Sequence, residues 1–188
     1  MILDYRSLPL MVSNGETNLI IRNKCDYRIV LDVFDALNDE ELTDEEKAQC
    51  GLVIFYENYE EIQDPQEALN DMMLIISYSN EGEAKKENDN RPPLVDWSKD
   101  FKYIAPPVSR VLGYDIREPK ITHFWTFMGA YMEIGECQFS TIISIRSKRA
   151  KNQKLEKWEE EYVRENPELF EIKQKFTKEE EEFFSLFE

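Results

Sequence analysis

Helix-start signals recur along this chain, and each is followed by a short apolar run at helical spacing. Asp26 stands where an N-cap is needed, with Tyr27, Val30, Phe34 and Leu37 spaced as one face of a helix. Thr43-Asp44-Glu45-Glu46 has the form of a capping box, in which the threonine hydroxyl accepts from the third helical amide and Glu46 reaches back. It opens a helix carrying Leu52, Val53, Ile54, Phe55 and Tyr56. Asp64-Pro65 starts another, with proline at the first position, where no amide donor is required. Its apolar face is Ala68, Leu69, Met72, Met73, Ile75 and Ile76. Asp96 caps a helix through Phe101, Ile104 and Val108, which Pro106-Pro107 should kink or break and Gly113 should end. After a connector at Tyr114–Glu118, Pro119 is expected to open the most apolar helix, running to Gly135. Residues 139–145 form a shorter one, ending in Arg146-Ser147-Lys148-Arg149. So many short, capped, apolar-faced segments constrain the fold to packed helices.

Only the N-terminus reads as strand. Pro9–Ser13 and Asn18–Arg22 flank Asn14-Gly15, a pair suited to a type I′ turn because both central residues need positive φ. A lone hairpin is marginal in water, so it must pack on helices or add to a strand of another chain. Asn80–Pro93 has almost nothing to bury and reads as an exposed, mobile linker. From Lys154 onward Glu and Lys blocks alternate with sparse aromatics, punctuated by Asn166-Pro167, and Thr177-Lys178-Glu179-Glu180 is a further capping box. The expected architecture is mainly α: a multi-helix globular domain over 1–165 with a short N-terminal β-hairpin, then an acidic amphipathic helical tail over 166–188.

Charge limits the partners. Asp and Glu number 39 against 23 Lys and Arg, a net charge of −16. Such a surface repels nucleic-acid phosphates and anionic lipid, so neither nucleic acid nor membrane is an expected partner. Arg146–Lys157 is the one basic cluster, and flanking acids make it a helix-end complement to the macrodipole rather than a phosphate site. The N-terminal sequence lacks the basic and long apolar regions of a signal peptide, and no apolar run approaches the ~18 residues that span a bilayer. Cys25, Cys50 and Cys137 are odd in number and widely spaced, which suits idle thiols in a reducing cytoplasm.

Catalytic motifs are not found. His123 is the only histidine and sits in the apolar His-Phe-Trp-Thr-Phe stretch without a nearby Cys or second His. A structural, hydrogen-bonded ring is the expectation. Neither a nucleophile elbow nor a phosphate loop is present, and the acid clusters lack the spacing of a calcium loop. No enzyme activity, metal or cofactor is expected.

Several motifs stand in a fixed order. Leu8-Pro9 precedes Cys25-Asp26-Tyr27-Arg28. Asp96-Trp97 is followed by Asp100, Ile104, Gly113-Tyr114-Asp115-Ile116, His123-Phe124-Trp125-Thr126-Phe127 and Ile142-Ile143-Ser144-Ile145-Arg146. This order resembles the tail-assembly protein family of long-tailed phages and prophages of Gram-positive bacteria, over about residues 3–165. Pro106-Pro107 and the Glu-rich end depart from its pattern.

The resemblance implies a tail assembly chaperone, which coats the long, aggregation-prone tape measure protein before tail tube subunits polymerise around it. It would act in the cytoplasm of the bacterial host and be absent from the mature virion. The tape measure protein is then the expected partner, with other tail assembly proteins and a homo-oligomer as further assemblies. Asp96 is expected as a cap, His123 as a hydrogen-bonder, and Trp97, Trp125 and Phe127 as the core joining two helices. The expected partner-binding residues are Trp158, Tyr162, Phe183, Phe184 and Phe187, the apolar positions of the C-terminal helices. Two other readings remain: a structural tail or connector subunit retained in the particle, and an acidic inhibitor of a host nucleic-acid-binding protein.

Overall fold

Asn14 fixes the start of the fold. In the computed structural model, which describes residues 6–77 and 94–170, strands β1 (Met11–Asn14) and β2 (Thr17–Ile20) pair antiparallel, Asn14 opposite Thr17. The turn residues are therefore Gly15-Glu16, not Asn14-Gly15. Gly15 alone has positive φ (61°), the pattern of a type II′ turn. The reason for the shift is that Asn14 is buried and committed elsewhere. Its Oδ1 accepts from the amides of Gln63 (2.8 Å) and Asp64 (2.9 Å), and its Nδ2 donates to the Asp64 carbonyl (2.8 Å). One side chain thus ties the hairpin to the approach of a helix about fifty residues away.

The protein is mainly α. The chain divides into two compact units, residues 1–87 with 104–135, and residues 88–103 with 136–188. The first, the hairpin unit, holds α1 (Tyr27–Leu37), α2 (Asp44–Phe55), α3 (Pro65–Ser77) and α5 (Phe124–Met132). Asp26 caps α1, accepting from the Arg28 amide at 3.1 Å. Thr43 and Glu46 form the reciprocal box that opens α2. Asp64 Oδ1 accepts from the Glu67 amide (3.0 Å) where α3 begins at Pro65. Val30 and Val33, Leu52 and Phe55, Met72 and Ile75, and Phe124 and Phe127 carry the burial on the four helices. Each such side chain contributes about 1.5–3 kcal/mol. Tyr27 stacks on Phe127 at 4.7 Å between ring centroids, and Phe34 meets Phe124 edge-on at 6.1 Å.

Helix α4 (Trp97–Leu112) runs through Pro106 and Pro107 without a break. Proline inside a helix costs about 3 kcal/mol. Ile104, Ala105 and Val108, on either side of the pair, are fully buried, and that burial offsets much of the cost. Gly113 then stops the helix at φ +76°, its amide bonded to the Ser109 carbonyl at 2.9 Å.

The second, C-terminal unit takes residues 97–103 of α4 together with α6 (Gln138–Ala150) and α7 (Lys157–Glu165). Its apolar cluster is Ile142, Ile145, Leu169 and Phe170, with Tyr103, Leu155, Tyr162 and Val163 packed against it. Helix α6 is longer than the 139–145 expected, and α7 begins at Lys157 within the stretch of alternating Glu and Lys blocks. The expected linker at 80–93 lies outside the described residues, as do the expected capping box at Thr177 and all that follows Phe170.

Candidate functional site

Two helix starts meet in the hairpin unit. The chain at Asp26 and at His123 forms an antiparallel bridge. The Tyr27 amide donates to the Thr122 carbonyl (2.9 Å), and the Phe124 amide to the Cys25 carbonyl (2.7 Å). Asp26 Oδ2 accepts from the Thr122 amide at 2.8 Å while its Oδ1 caps α1. These bonds hold residues 119–122 out of helix, so α5 begins at Phe124 and not at Pro119. His123 is its N-cap: Nδ1 accepts from the Trp125 amide at 3.0 Å. That leaves Nε2 to donate to the Pro9 carbonyl at 3.1 Å, which defines the neutral Nε2–H tautomer. Burial pushes the His123 pKa down, and the bond to Pro9 opposes this.

Arg28 clamps the same loop, donating to the carbonyls of Ile116 (2.8 Å), Glu118 (2.6 Å) and Lys120 (3.3 Å). The Tyr27 hydroxyl adds a bond to Ile116 O at 2.8 Å. Immediately upstream, Asn23, Lys24 and Cys25 all have positive φ (48°, 57° and 57°). Three successive left-handed residues that are not glycine cost about 1–2 kcal/mol each. Arg22 helps hold the segment, donating to the carbonyls of Val53, Ile54 and Tyr56 at the C-terminal end of α2. The left-handed turn buries Cys25, whose thiol is pushed up to about 12 by that burial, and it leaves Lys24 exposed. Lys24 then borders an open cavity of about 340 Å³ lined also by Leu8, Leu10, Tyr114, Ile121 and His123.

The C-terminal unit holds a different lock. Asp100, on the first turn of α4, is buried against Arg146 of α6 in a two-pronged ion pair of 2.5 and 2.9 Å. The remaining arginine donors go to the carbonyls of Leu94 (2.9 Å) and Leu169 (2.9 and 2.6 Å), so every N–H of the guanidinium is used. Asp100 also accepts from the Asp96 amide at 2.9 Å. Nearby, Lys148 pairs with Glu159 at 2.6 Å. The hydrogen bond from Lys148, then that from the Glu156 amide, holds the Glu159 carboxyl below its usual range.

Of the residues singled out from sequence, Asp96 caps α4, accepting from the Lys99 amide at 3.0 Å. Trp125 and Phe127 are buried in the hairpin unit, Trp125 donating its Nε1 proton to the Ile75 carbonyl at 3.0 Å. Trp97 is half-buried and falls within the residues of the other unit. Tyr162 packs on the C-terminal cluster, edge-on to Phe170 at 5.8 Å. Trp158 is 51% exposed. Phe183, Phe184 and Phe187 lie outside the described residues. Asp26 has two roles where its sequence position suggests one, and Arg146, which stands in the basic cluster of the sequence, is buried. The available signal was that Asp100 and Arg146 both belong to the ordered motifs. Among the described residues no group of three or more His, Cys, Asp or Glu side chains is placed to hold a metal ion, and no helix is long and apolar enough to cross a membrane.

The ordered motifs thus build paired helix caps and a buried ion pair, and the helical protein they specify is a phage protein. A family model described as Bacteriophage Gp15 protein matches residues 11–172, and the chain belongs to that family. No curated protein and no solved structure gives a significant match.

Proposed function

We propose that this phage protein is a tail assembly chaperone that binds the tape measure protein and keeps it soluble in the host cytoplasm during tail morphogenesis. The observation that carries the reading is the surface of α7. There Trp158 stands 51% exposed on the same helix face as Glu161 and Glu165, three and seven positions on, its indole N–H tethered to Glu156 at 2.8 Å. An exposed aromatic ring framed by carboxylates suits the apolar stripe of an amphipathic partner helix with basic flanks. The net charge of −16 opposes aggregation of whatever is bound. Family membership and the resemblance of the ordered motifs to tail-assembly proteins support the same role.

Co-expression with a tape measure protein from the same phage, followed by affinity purification, tests the proposal. A soluble multi-copy complex, reduced in yield by Trp158→Ala, is expected. A lone protein beside an insoluble tape measure would sink the role. Stoichiometric recovery from purified virions by mass spectrometry would instead mark a structural subunit.

A further inference from the structure

We propose that the outer edge of β1 and the cavity at its N-terminal end form one binding site. It would take an extended, acidic peptide segment of a partner protein with an apolar side chain to fill the cavity. The site lies wholly in the hairpin unit and does not depend on the tape measure reading.

The register defines the edge. The Ile21 amide donates to the Leu10 carbonyl at 3.0 Å, so Leu10 and Ile21 are a hydrogen-bonded pair. With Met11 opposite Ile20, the same holds for Val12 with Leu19 and Asn14 with Thr17. The backbone groups of residues 10, 12 and 14 therefore face β2, and those of 9, 11 and 13 face away. On the far side of β2 the matching groups are occupied: Ile20 N–H donates to Asn58 Oδ1 (2.8 Å), Ile20 O accepts from the Glu57 amide (2.9 Å), and Asn18 O accepts from Asn58 Nδ2 (3.1 Å). On the far side of β1, among the described residues, only Pro9 is occupied, its carbonyl taken by His123. The amides and carbonyls of Met11 and Ser13 have no partner among the described residues, and Met11 is 58% exposed. No charge or proline within Met11-Val12-Ser13 blunts this edge.

His123 marks where the edge leads. It touches the outward carbonyl of Pro9 and also lines the cavity. A strand added along Met11–Ser13 therefore continues past His123 toward Leu8, Leu10 and Ile121, all about half exposed. Backbone bonds supply affinity in such additions and a side-chain pocket supplies selectivity.

Charge selects the occupant. Lys24 on the cavity wall makes no ion pair among the described residues, and the Lys120 ammonium lies 3.8 Å over the ring of Tyr114, another lining residue. Residues 6–28 carry Arg6, Arg22, Lys24 and Arg28 against Glu16 and Asp26, a cationic stretch in a chain of net −16. A second copy's β1 would bring Arg6 and Lys24 against the same residues. A segment bearing carboxylates is the complementary partner.

The test uses the full chain and two synthetic heptapeptides, both alternating a charged residue with valine around a central phenylalanine, one with glutamate and one with lysine. Binding is read by calorimetry and amide NMR shifts. The glutamate peptide is expected to bind at least tenfold tighter than the lysine peptide, with shifts at Met11 and Ser13. Ser13→Pro removes an outward amide that the hairpin ladder does not use, and it should weaken binding at least tenfold, while Ser13→Ala should not. Lys24→Glu leaves the strand untouched and should erase the preference for glutamate. Equal binding of the two peptides, binding of neither, or Ser13→Pro behaving like Ser13→Ala would overturn the proposal.

Discussion

Replacing Arg146 with methionine tests the lock of the C-terminal unit. Arg146 uses all its N–H donors on the Asp100 carboxylate and on the carbonyls of Leu94 and Leu169. Both charged side chains are almost completely buried. Methionine keeps most of the aliphatic volume but leaves a buried carboxylate with only the Asp96 amide. Removing one partner of a buried pair costs about 3–5 kcal/mol, whereas an exposed pair contributes at most about 1. Against a total of about 5–15 kcal/mol, such a loss is a large fraction of stability. Adding Asp100→Leu removes the orphaned charge and leaves three backbone groups wanting partners. The double variant should therefore be more stable than Arg146→Met by about 2 kcal/mol, which is positive coupling in a double-mutant cycle. Urea denaturation gives the totals, and hydrogen exchange of amides in 138–150 assigns the loss to α6. A loss below about 1 kcal/mol for Arg146→Met would refute the argument, and so would strict additivity.

Other expectations follow from single residues. Burial lowers the His123 pKa in the folded protein, so the unfolded chain takes up a proton first as pH falls below about 6.5. The contribution of His123 is full above that value and declines below it. The difference in stability between the protein and His123→Asn, which keeps a cap but cannot reach Pro9, should shrink between pH 7 and pH 5 in denaturation curves. Gly15→Ala should cost about 1–2 kcal/mol, because φ is +61° and the added carbon meets the Gln63 side-chain oxygen. The loss should show as faster exchange in residues 11–20. Cys25, buried with its thiol near 12, should resist iodoacetamide at pH 8 while Cys50 and Cys137 react, as peptide mass mapping would show.

What the sequence disclosed, it disclosed through residues whose role is local. Asp26, Thr43 with Glu46, Asp64 with Pro65, Asp96 and Gly113 act within one helical turn, and all stand where the spacing predicts. The misreadings share one cause, a distant partner that overrides local preference. Asn14 reads as a turn residue because its partners, Gln63 and Asp64, lie about fifty positions away. Residues 119–122 read as helix until Asp26 claims the Thr122 amide across 96 positions. Pro106 and Pro107 read as a break because the burial that offsets them is invisible in a local window.

The same distinction bears on where function should be sought. The ordered motifs place Asp26 and His123 across one bridge and Asp100 and Arg146 in one ion pair, each linking stretches 46 or more positions apart. Residues spent on such links are saturated: Arg146 has no donor left, and His123 has both ring nitrogens engaged. On the proposed readings, a substitution at Asp100 or Arg146 should change partner binding only by changing the fold. The residues proposed for recognition instead keep exposed surface or backbone unpaired among the described residues, namely Trp158 on α7 and Met11 to Ser13 with Lys24 in the hairpin unit. If binding instead tracked Asp100 or Arg146 in variants whose stability is unchanged, this separation of fold from recognition would be wrong.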